Sequence, residues 1–126
     1  PVEPVEPPAS PLTGTLRMLP GRMEVVSGLE QRAEIRFVHT GGVGDQRVTL
    51  GRAPGTPYEH VTLSSQTVSR EHAAMTFTRD GWTITNLSTT NPLRVNGAPI
   101  DVAGAAVLLS DGDLIELGEV VLRFRI

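Results

Sequence analysis

The stretch AAMTFTRDGWTITNL, Ala73–Leu87, decides the fold class. Its two halves, AAMTFTR and WTITNL, alternate at period two and are rich in β-branched and aromatic residues, while Arg79-Asp80-Gly81 between them is turn chemistry. The alternation of a half-buried strand assigns Trp82 to the core. Working outward, the same pattern recurs in RMEVVS, EIRFV, RVTLG and HVTL before it, and in LRVNG, AVLL, DLIEL and VVLRFRI after it. Turn-forming clusters separate these runs: GGVGD, APGTP, Asn96-Gly97 as a hairpin turn, and SDGD with Asp111-Gly112. Many short strands so spaced predict an all-β sandwich or barrel. In VVLRFRI the alternation assigns Val120, Leu122, Phe124 and Ile126 to the core face, and Val121, Arg123 and Arg125 to the other. Only SGLEQRAEI would be read as a helix on propensity alone.

A chain of 126 residues fits one domain with a single core. Its first eleven residues, PVEPVEPPASP, hold five of the ten prolines and predict an extended, semi-rigid linker. The expected organisation is therefore a Pro/Glu-rich linker over residues 1–21 and a folded domain over residues 22–126. Pro1 in place of an initiating methionine suggests a fragment whose linker tethers it to something upstream, and a strand that runs to Ile126 suggests a domain finished on that side.

Charge and composition exclude several classes. A formal net charge of −3 gives nucleic acid or an anionic membrane no long-range reason to bind, and 4% aromatic content offers little for base stacking. Any anion must be captured locally. All eleven basic residues are arginine, whose rigid fork suits carboxylate and phosphate oxygens. The absence of cysteine excludes thiolate metal sites, disulfides within the chain and cysteine nucleophiles. The absence of cysteine leans toward a reducing cytoplasm, and with no apolar run long enough to cross a bilayer a soluble protein is expected.

The polar stretch TVSREH, Thr67–His72, sets a hydroxyl, a guanidinium and an imidazole within four residues. An enzyme reading finds no Gly-x-Ser-x-Gly elbow around Ser69, and His39, His60 and His72 lack metal-ligand spacing. Neither catalysis, metal nor cofactor is expected. What remains is polar residues at turns: Arg52 after Gly51, Ser69 and Arg70 before AAMTF, and Thr90 and Asn91 after WTITNL. Loops of a sandwich cluster at its two ends, so these three connections can meet. Two arginines and two hydroxyls meeting there would suit a phosphate dianion, through short charge-assisted bonds.

The ordered set LGR, VSREH, TTNPLRVNG and LSDGDLIELG resembles the forkhead-associated (FHA) domain over about residues 22–126. The resemblance implies a two-sheet antiparallel β-sandwich of about eleven strands whose apical loops bind phosphothreonine in partner proteins, downstream of a serine/threonine kinase. It implies that Arg52 contacts the phosphate or nearby peptide, that Ser69 gives its hydroxyl and backbone amide to phosphate oxygens, and that Arg70 or its main chain adds a contact. Thr90 would touch the phosphate and Asn91 the ligand backbone. Gly51, His72, Asn96 and Gly97 would support the loops. Two departures stand out: Ser88-Thr89-Thr90 replaces the usual Gly-Ser-Thr, and Pro92 replaces the glycine after the asparagine. Proline locks φ near about −65° and pushes Asn91 toward extended geometry. The alternative is a scaffold of the same fold that has lost phosphate reading and assembles through its sheet faces or edges. Thr13 and Thr15 read as linker threonines; a phosphorylated tail captured by its own or a neighbour's domain is the other reading they allow.

Overall fold

The computed structural model describes residues 17–29, 34–39, 46–56, 59–88, 90–100 and 102–126. Thr13 and Thr15 lie outside these residues, as do positions 30–33, the middle of the segment that propensity alone would make helical. The described residues form strands β1 (Arg17–Ser27), β2 (Glu34–His39), β3 (Gln46–Gly51), β4 (His60–Thr62), β5 (Ala73–Thr78), β6 (Gly81–Asn86), β7 (Leu93–Val95), β8 (Ala98–Pro99), β9 (Ala106–Leu108), β10 (Leu114–Leu117) and β11 (Val120–Arg125), with no helix among them. One sheet has the order β2-β1-β11-β10-β7-β8 and the other β4-β3-β5-β6-β9. The expected two-sheet β-sandwich of eleven strands is therefore the fold.

The opening stretch is a hairpin, with Ala73 opposite Asn86 and Thr78 opposite Gly81. Arg79 and Asp80 form its tip, and Gly81 takes φ 115°. Between the sheets, Trp82 packs with tilted rings at 4.6 Å from Phe37 and 5.1 Å from Phe77, ring centre to ring centre. Met23, Leu50, Met75, Ile84, Leu117 and Phe124 are fully buried in the same core, as the period-two reading requires. In β11, Leu122 and Phe124 point inward as expected, but Ile126 is 70% exposed because the strand ends before it.

Three further features differ from the expectations. β1 begins at Arg17 and takes in the last five residues of the stretch expected to be linker, because Leu19 packs on the core and Pro20 accepts a 2.7 Å bond from the Trp82 indole nitrogen. β8, two residues long, was not expected as a strand. All pairings are antiparallel except β3 with β4, whose parallel register sets Thr49 opposite His60 and Gly51 opposite Thr62. A parallel neighbour must begin where its partner began, so the chain after Gly51 doubles back along the sheet edge.

That topology fixes the ends of the molecule. The C-terminal ends of β1, β3, β6, β8 and β10 and the starts of β5, β7, β9 and β11 lie at one end, which carries Arg52, Ser69, Arg70, Thr90 and Asn91. The hairpin tips at Arg79-Asp80 and Asn96-Gly97 lie at the other.

Candidate functional site

Glycine makes the closure of this end possible. A Cβ on Gly51 would lie 2.0 Å from the Arg70 carbonyl oxygen, so only a residue without a side chain lets the loop before β5 lie across the end of β3. Backbone bonds then tie the two together: Arg52 N–H to Ser69 O at 2.9 Å, Ala53 N–H to Arg70 O at 3.2 Å, and His72 N–H to Leu50 O at 2.8 Å. The Arg52 side chain follows the same loop, its Nε donating to Val68 O at 3.1 Å. Both Arg52 and Arg70 are exposed, and among the described residues neither guanidinium is paired with a carboxylate.

His72, fully buried, joins this loop to the one after β6. Its Nδ1 accepts the Ser69 amide at 3.1 Å, so its proton must be on Nε2, which donates to Pro92 O at 2.8 Å. Burial holds its pKa below the ordinary histidine value, against the opposing pull of the Pro92 and Asn91 carbonyls. Pro92 O also accepts Gly118 N–H at 3.2 Å, and Thr67 Oγ1 accepts Glu119 N–H at 2.9 Å. The turn between β10 and β11 thus braces both loops from the side. Gly118, with φ 61°, is again indispensable, since a Cβ there would lie 2.1 Å from Thr67 O.

The hydroxyl cluster sits on this frame. Ser69 Oγ lies 2.7 Å from Ser88 Oγ, 2.9 Å from Asn91 Nδ2 and 3.5 Å from Thr90 Oγ1. Residues 21 and 22 positions apart in sequence therefore meet through their side chains. The Asn91 side chain turns in toward Ser69, which places its amide beside the hydroxyls. The Ser69 amide differs from its expected role: it donates to His72 and is not available to a ligand. The Arg70 amide, one residue on, donates to no described group, and neither does the Glu71 amide, so these are main-chain donors the loop offers.

Asn96 and Gly97 are placed elsewhere. Their φ values of 53° and 83° make the mirror-image hairpin turn between β7 and β8, at the opposite end of β7 from Asn91. Asn96 bonds to Leu114 N–H and Asp113, both 2.9 Å away, and not to the binding loops. Their support for the site is indirect. The turn returns the chain to Ile100, whose carbonyl accepts Asn86 Nδ2 at 2.8 Å, and Asn86 Oδ1 in turn accepts Ser88 N–H at 3.0 Å.

Sequence reasoning missed Ser88 and His60 as contributors. Ser88 is 5% exposed and reads in sequence as an ordinary loop residue, with no signal beyond its departure from the usual glycine. In sequence His60 stands out only as a histidine without metal-ligand spacing. Its Nε2 lies 2.6 Å from Ala53 O and its Nδ1 2.6 Å from Thr49 Oγ1, so it pins the loop that carries Arg52 to the edge of β3. Among the described residues no group of three or more His, Cys, Asp or Glu could hold a metal ion.

Known proteins share this arrangement of strands. An engineered FHA domain solved with the Myc-pTBD peptide is 23% identical, with a TM-score of 0.68 over 84% of this chain and 90% of that one. The FHA domain of an Arabidopsis thaliana hypothetical protein is 20% identical, with a TM-score of 0.68 over 84% of each chain. Mycobacterium tuberculosis EmbR, solved with a low-affinity phosphopeptide, is 23% identical with a TM-score of 0.62; the match covers 84% of this chain and 24% of EmbR. No curated protein sequence matches. The sequence profile of the FHA domain matches residues 48–118, from β3 to the turn that braces the two loops, and the chain belongs to the FHA-domain family.

Proposed function

We propose that the chain binds phosphothreonine in partner proteins after a serine/threonine kinase has acted on them, without chemistry of its own. The observation that carries this reading is the direct bonding of Ser69 Oγ to Asn91 Nδ2 and its approach to Thr90 Oγ1, beside an arginine laid along the same loop. Hydroxyl and amide donors with two guanidinium groups that have no described carboxylate partner suit an anion that only accepts hydrogen bonds. Structural neighbours agree with this reading: one was solved with a low-affinity phosphopeptide, and another belongs to a structural and functional analysis of phosphothreonine-dependent FHA domain interactions. A kinase-made ligand puts the place of action in the cytoplasm.

A peptide pool with phosphothreonine fixed at its centre, compared with the same pool carrying threonine, tests the reading. The phosphorylated pool should be retained and the other not. Arg52→Ala with Ser69→Ala should lower affinity by about two to four orders of magnitude, if each charged bond contributes roughly 1.5–3 kcal/mol. Equal retention of both pools would favour the scaffold that assembles without phosphate.

A further inference from the structure

We propose that Ser88, a buried residue with no expected contact to ligand, fixes the direction of the Ser69 hydroxyl and makes it an obligate donor to phosphate. The inference rests on the phosphothreonine reading above and concerns which residue prepares that site.

A serine hydroxyl has one proton and two lone pairs. Among the described residues, Ser88 Oγ has three polar neighbours: the Thr90 amide at 3.3 Å, the Asn91 amide at 3.0 Å and Ser69 Oγ at 2.7 Å. Amides can only donate, so the two N–H groups take both lone pairs of Ser88. Its own proton then points to Ser69. Ser69 Oγ accepts that proton and one from Asn91 Nδ2 at 2.9 Å, so both of its lone pairs are filled as well. The Ser69 proton has one remaining described neighbour, Thr90 Oγ1 at 3.5 Å, which is long for a bond between hydroxyls.

Two consequences follow for a ligand. The Ser69 hydroxyl can give one more bond and accept none, which suits a phosphate dianion, and the two bonds it receives polarise it further. It is also fixed before the ligand arrives, so binding need not freeze a free rotor. Glycine, the residue the family tends to carry at position 88, would leave Ser69 free to turn. Ser88 is itself held by Asn86 Oδ1, which accepts its amide at 3.0 Å. It acts through Ser69 and is a positioning residue.

The test is a double-mutant cycle by calorimetry, using the tightest single peptide from the phosphothreonine pool and its unphosphorylated twin. Ser88→Ala should weaken phosphopeptide binding about tenfold, while in a Ser69→Ala background the same change should cost less than about twofold. An equal penalty in both backgrounds would overturn the proposal, because Ser88 would then only prop the Thr90-Asn91 loop. Failure of the unsubstituted protein to distinguish the two peptides would defeat the phosphothreonine reading itself, which is a separate result. Should Ser88→Ala fail to fold, NMR of the unsubstituted protein decides. A slowly exchanging hydroxyl proton coupled to Ser88 Cβ and close to the Ser69 β-protons supports the proposal, whereas a Ser69 hydroxyl proton directed at Ser88 or Asn91 sinks it.

Discussion

His72 meets its two partners through different ring nitrogens, and that fixes its charge. A second proton on the ring would sit on Nδ1, facing the Ser69 N–H, and two donors would then confront each other. The pKa is held down by burial, so between the folded-state value and the unfolded value of about 6.5 the unfolded chain binds a proton that the folded chain does not. The stability linked to His72 is therefore complete above about pH 6.5, declines as the pH drops toward the folded-state value, and is lost below it. Urea unfolding across this range should show a slope of up to about 1.4 kcal/mol per pH unit in the unsubstituted protein, and a shallower one in His72→Gln. Unfolding is the better readout than peptide affinity, because phosphate itself titrates near pH 6. At this scale the exposed part of the site was legible in sequence: a guanidinium, a hydroxyl and an amide at turns announce themselves. Ser88 was not, since the role of a buried hydroxyl depends on which donors surround it.

Two glycines separate closure of the site from general stability. Gly51→Ala would drive a methyl group into the Arg70 carbonyl, a backbone atom that cannot step aside without moving Ser69. It should cost about 1–3 kcal/mol of stability or more and abolish phosphopeptide binding together. Gly97→Ala has no atom within 4 Å of the new methyl but must adopt φ 83°, so it should cost about 1–2 kcal/mol while leaving affinity unchanged. Thermal melting and peptide titration on both variants check the contrast. The longer strands were readable because one buried face imposes strict alternation. The two-residue β8 has too few positions to show a period. The start of β1 was hidden by Pro20 and Gly21, which read as a break and in fact occupy the irregularity between Met18 and Arg22 where the register with β2 shifts.

Whole-molecule packing makes the first five residues of β1, 17–21, part of the domain. A chain starting at Arg22 loses Leu19 from the core and leaves the Trp82 indole N–H without its acceptor, whereas one starting at Arg17 keeps both. The shorter chain should unfold at lower urea, by about 1–3 kcal/mol for the orphaned donor alone. The two outer faces also differ. On the six-stranded sheet, Arg22, Glu24, Glu34, Arg36 and Arg125 form a cross-strand network, with Arg22 Nε 2.8 Å from Glu34. On the five-stranded sheet, Thr76 faces Thr83, with Arg47 and Leu108 at either side. The pairing of Arg22 with Arg125 sets the middle of β1 beside the end of β11, away from the Gly118-Glu119 turn. From Arg17 to Ser27 the strand covers roughly 30 Å at about 3.3 Å per residue. β1 therefore starts at the pole opposite Arg52, Ser69 and Asn91, so a dye or tag coupled just ahead of Arg17 leaves that far end of the molecule uncovered.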